Sequence, residues 1–133
     1  MGVQLTKDSI DLGIIVEDAE RSLKFYRDTL GFELQAVIPS GNGTMYRLGC
    51  GTSVIKLVQP ATIPAVKAPP GGPGGATGYR YWTISISNLE EMVAACERAG
   101  YRVTVPPRDA RPGVRIAMVE DPDGNWVEFG VYS

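Results

Sequence analysis

The chain has 133 residues, 13 basic and 15 acidic side chains, a formal net charge of −2 and 44% hydrophobic residues. That is the balance of an ordinary globular domain, without the basic excess that marks a phosphate-backbone binder, so no nucleic-acid partner is expected. Histidine is absent and cysteine occurs twice, at Cys50 and Cys96, which excludes zinc fingers, Ser-His-Asp triads and His-based acid–base chemistry and fits a reducing cytoplasm. No run approaches the roughly 20 apolar residues of a membrane span, and the start lacks the basic-then-apolar pattern of a secretory leader, so no membrane partner is expected.

In chain order, Ile10 to Val16 reads as a short strand. Asp18 is placed to cap a helix, Glu20 suits its positive end, and Gly31 stops it, with Ala19, Leu23, Tyr26 and Leu30 as the buried stripe. Strands follow at Phe32 to Ile38, Thr44 to Gly49 and Ser53 to Val58, separated by Gly-rich turns. Residues 60–78 hold five prolines and five glycines, a composition that predicts no packed element and reads as a linker or a mobile flap. Tyr81 to Ile86 is then a strand, and Ser87 with Glu90 and Asn88 with Glu91 form overlapping capping boxes for a helix that buries Leu89, Met92, Val93 and Cys96 and ends at Gly100. The last strands are Tyr101 to Val105, Val114 to Val119 and Trp126 to Tyr132, the final pair joined by the turn Asp121-Pro122-Asp123-Gly124-Asn125.

The second half repeats the first: strand 10–16 maps onto 80–86 at an offset of 70, and Ile55-Lys56-Leu57 onto Val127-Glu128-Phe129 at an offset of 72. The predicted class is α+β, one domain over 1–133. It holds two tandem βαβββ modules, at about 8–60 and 79–133, on either side of the 60–78 segment.

The opening Asp11-Leu12-Gly13-Ile14-Ile15-Val16, the run Phe25-Tyr26-Arg27-Asp28-Thr29-Leu30-Gly31-Phe32 and the close Asp121-Pro122-Asp123-Gly124-Asn125-Trp126-Val127-Glu128-Phe129 resemble the vicinal oxygen chelate superfamily, which includes glyoxalase I, bleomycin-resistance proteins and extradiol dioxygenases. The resemblance implies a half-open mixed-sheet barrel around one cavity, a small-molecule ligand and a homodimer. It also implies a divalent metal held by four side chains, whose positions fall here on Asp11, Lys56, Tyr81 and Glu128. An ammonium has no lone pair to give a metal and repels it, so Lys56 argues for a metal-free protein with no cofactor; if a metal binds, Asp11 and Glu128 are its ligands.

Strand alternation places Lys56, Glu128, Trp126, Tyr81, Thr83 and Asp11 on the cavity side. Lys56 either pairs with Asp11 or Glu128 in place of the metal or binds an anionic ligand, and neighbouring carboxylates that keep it protonated oppose a Schiff base. If the protein is an enzyme, Glu128 is the general base and Lys56 and Tyr81 steady an enolate; Trp126 offers a stacking surface. The leading expectation is a metal-independent binder of the bleomycin-resistance type, and the alternative a glyoxalase-like lyase, isomerase or epimerase.

Overall fold

A computed structural model describes all residues, 1–133, and the chain divides into two compact units, Met1–Pro64 and Ala65–Ser133. The boundary falls inside the Pro/Gly-rich segment, most of which therefore belongs to the second unit.

In the first unit, β1 (Asp11–Ile15) leads into α1 (Ala19–Leu23), followed by β2 (Glu33–Ser40), β3 (Gly43–Cys50) and β4 (Ser53–Gln59). They form an open four-stranded sheet in the order β1-β4-β3-β2, with β1 parallel to β4 and the other pairs antiparallel. Asp18 caps α1 through its side chain, as expected, and the Gln59 side chain accepts from the Ala19 N–H at 2.7 Å. The helix does not run regularly to Gly31. From Lys24 to Thr29 it widens into a π-helical turn, with the Leu30 N–H reaching Phe25 O at 2.9 Å. The wider turn shifts the phase so that adjacent Phe25 and Tyr26 both point inward, fully buried and edge-to-face at 4.7 Å. Leu23, Leu48, Ile55 and Leu57 complete this core.

The second unit repeats the plan with β5 (Tyr81–Ser85), α2 (Leu89–Arg98), β6 (Val103–Arg111), β7 (Val114–Glu120) and β8 (Trp126–Tyr132), ordered β5-β8-β7-β6. Asp11 pairs with Val54 and Gly13 with Lys56, while Tyr81 pairs with Trp126 and Thr83 with Glu128, so the repeat holds to the residue. The predicted capping boxes do not form: the Asn88 amide donates to the Glu91 carboxylate at 2.9 Å and its side chain makes no bond to the helix backbone. Strand β6 runs on through Pro106 and Pro107 to Arg111 as an irregular edge with three register shifts, where the sequence suggested an end at Val105. Proline at an edge costs the sheet no inward hydrogen bond.

The Pro/Gly-rich segment departs from expectation. Gly72–Gly74 forms a short 3-10 turn, and Gly72 is buried against the Trp126 ring, where even a Cβ would come within 2.3 Å of it. Arg80 clasps the same segment, donating to Gly72 O at 2.6 Å, Pro69 O at 2.7 Å and Pro70 O at 3.2 Å. Composition without apolar periodicity hides such an element, because its order comes from one arginine and one indole farther along the chain.

Candidate functional site

The sheet face of the first unit that is turned away from α1 is read off by register. One row across the strands is Asp11, Val54, Gly49 and Glu33; the next is Gly13, Lys56, Arg47 and Ala36; the third is Ile15, Val58, Met45 and Ile38. Three cations meet one carboxylate here. Asp11 accepts from Lys7 Nζ at 2.7 Å, lies 3.4 Å from Lys56 Nζ and is 3.9 Å from the Arg47 guanidinium. The Lys7 hydrogen bond, then the Lys56 ammonium, hold the Asp11 carboxyl below the usual carboxylate range. The ion pair expected of Lys56 is therefore made with Asp11, and Lys7 and Arg47 are members of the cluster that sequence reasoning passed over. Arg47 was findable, since it lies directly opposite Lys56 in the next strand.

The equivalent face of the second unit is differently charged. Thr83 Oγ1 donates to Glu128 Oε1 at 2.7 Å, and Tyr81 is half exposed one alternation away. Trp126, two residues before Glu128, donates its indole N–H to Glu120 Oε2 at 3.1 Å while Gly72 covers its six-membered ring. One side of the expected stacking surface is thus taken by the chain itself. The Asp121 turn fixes where β8 starts: its buried carboxylate accepts from the N–H groups of Asp123 at 2.9 Å and Asn125 at 2.8 Å, and from the Asn125 amide at 3.0 Å. Arg115 on β7 sits on the opposite, helix-side face and pairs with Glu90 at 2.7 Å and Asp109 at 3.3 Å. Cys96 is buried, which pushes its thiol up to about 11, and burial raises Cys50 as well, so neither is a nucleophile at neutral pH.

The donor set does not fit a divalent metal. Asp11 is already engaged by Lys7 and Lys56, Lys56 offers no lone pair, and no group of three or more His, Cys, Asp or Glu side chains converges anywhere in the structure.

Comparison with known proteins places these observations. The family model for the Glyoxalase/Bleomycin resistance protein/Dioxygenase superfamily matches residues 9–129. A lactoylglutathione lyase of Pseudomonas putida is 31% identical, over 85% of this chain and 78% of its own length. Among solved structures, a glyoxalase family protein from Bacillus cereus superposes with a TM-score of 0.82 at 16% identity, covering 98% of this chain and 96% of its own. TnmS3, an antibiotic binding protein from Streptomyces sp. CB03234, does so at 0.70 and 23%, covering 98% and 100%. The chain belongs to the Glyoxalase/Bleomycin resistance protein/Dioxygenase superfamily.

Proposed function

We propose that the protein binds a small organic molecule without a metal, in the manner of a bleomycin-resistance-type binder. The observation that carries this reading is the Lys56–Asp11–Arg47 cluster, which puts an ammonium where the family resemblance implies a glutamate ligand. Asp11, Lys56, Tyr81, Thr83, Trp126 and Glu128 are the proposed ligand-binding residues. Two unpaired cysteines support a cytoplasmic setting, and a homodimer is proposed from the family. No helix is long and apolar enough to cross a membrane.

A second reading, favoured by the likeness to lactoylglutathione lyases, is a metal-independent lyase or isomerase. In it Glu128 takes a proton next to a carbonyl, and Lys56 and Tyr81 hold the resulting enolate. The Thr83 hydrogen bond fixes the orientation of the Glu128 carboxylate, as a positioned base requires.

The test is elemental analysis after incubation with magnesium, manganese, calcium or zinc and dialysis, alongside a lactoylglutathione turnover assay without added metal. Well under one ion per chain and no turnover is the expected result. Retention of one ion per chain overturns the metal-free reading, and metal-free turnover that Glu128→Gln abolishes moves the assignment to the second.

A further inference from the structure

The three rows of the first unit's open face differ in kind. The outer row carries the carboxylates Asp11 and Glu33, the middle row the cations Lys56 and Arg47, and the third row only Ile15, Val58, Met45 and Ile38. Ile15 is 56% exposed and Ile38 39%, so both ends of this apolar row are open to solvent. In the middle row the cations stand between small residues, Gly13 and Ala36, and a Cβ on Gly13 would meet nothing within 4 Å. The space beside Lys56 is open.

Asp11 spends its shortest contact, 2.7 Å, on Lys7, leaving Lys56 at 3.4 Å and Arg47 at 3.9 Å with longer ones. Neither cation makes another ion pair or hydrogen bond, so most of their donors are unused. The cluster has two positive charges in excess of Asp11, or one if Glu33 is included.

We infer that this face takes an organic monoanion with an apolar body, its acid group between Lys56 and Arg47 and its body over Ile15, Val58, Met45 and Ile38. The inference rests on the metal-free binding reading and names its ligand class. The orientation is set by charge: the outer row, with Asp11 and Glu33, repels an anion placed there, and the apolar row has no donor for one. Successive rows on one face are about 6.6 Å apart, two residues of strand rise, so the acid carbon and the apolar centre are separated by about five carbon–carbon bonds of an extended chain. Arg47 presents a planar fork suited to a carboxylate, and Lys56 adds a point charge.

Two matched probes test this by isothermal titration: 4-phenylbutanoate and its uncharged analogue 4-phenylbutanamide. The acid is expected to bind about tenfold or more tightly than the amide, the scale of one charge-assisted hydrogen bond. Lys56→Met with Arg47→Met removes that preference, whereas Ile15→Ser weakens both probes alike and leaves it. Asp11→Asn, which deletes the competing carboxylate, tightens the acid about threefold and serves if the double variant does not fold. Equal affinity for acid and amide, a preference that survives the double variant or an unchanged Asp11→Asn protein, or no binding of either probe, overturns the inference. The metal-retention measurement is unaffected by these results, so the broader reading stands or falls separately.

Discussion

Lys56 and Glu128 occupy one place in two copies of the same sheet, on the fourth strand and paired in register with Gly13 and Thr83, the middle residues of β1 and β5. One is an ammonium facing a carboxylate, and the other a carboxylate held by a hydroxyl. One alternation to the other side, Leu57 and Phe129 match in burial as well as in place, both at 2% exposure or less. The helix-side positions are bound by packing, where a change of one methylene is felt. The open-face positions carry no such constraint, so two copies of one plan keep their cores alike and diverge in charge. The helices diverge too: adjacent Phe25 and Tyr26 force a π-helical turn in the first unit, while Leu89, Val93 and Cys96 sit at regular spacing in α2.

The sharpest way to break this comparison is in the cores. Leu57→Ala and Phe129→Ala should each cost about 3–5 kcal/mol in urea unfolding, and a loss under 1 kcal/mol at either would mean that the two positions are not structural equivalents. Next comes the strap, which only the second unit has. Gly72→Ala combines a backbone φ of +54° with a Cβ driven into the Trp126 ring, for an expected loss of about 2–3 kcal/mol and a changed indole emission spectrum. Normal stability and emission would show that the strap can lift without cost.

The charged faces should respond least in stability and most in pH dependence. Asp11 and Asp28 are held below 3.8, and Glu90 below 4.5, by Lys7, Arg27 and Arg115 respectively. Each depressed carboxyl contributes stability that is in place above its ordinary pKa and is lost as pH falls through the depressed one. The melting temperature should therefore hold from neutral pH to about 5 and fall below about 4. Asp11→Asn should lower it slightly at pH 7 and make no difference at pH 2. An unchanged acid slope in that variant would show that the Lys7–Asp11 contact carries no stability. At the other extreme, Cys96 should resist iodoacetamide at pH 8 until the chain unfolds; labelling of the native protein would contradict its burial.

The architecture was legible in the sequence because its signals are local and repeated: an apolar run, a capping aspartate, a glycine stop, and the same order again 70 residues on. Lys56 and Glu128 were legible because strand alternation and the repeat fix their face. The Asp11–Lys56 pair was one of two arrangements that alternation allowed. Lys7 and the Arg80 clasp were not legible, since each depends on where a long, flexible side chain comes to rest. Trp126 shows the same limit: its face could be assigned, but not that Gly72 would cover it.

The clasp at Arg80 also says where the gene can be cut. A fragment that starts at Ala65 keeps Pro69, Pro70 and Gly72 with the arginine and the indole that hold them, whereas one that starts at 79 discards the cover of Trp126 and leaves three arginine hydrogen bonds unmade. What composition marks as a spacer is part of the inheritance of the second half, and a recombined or split version of this chain should carry it on that side.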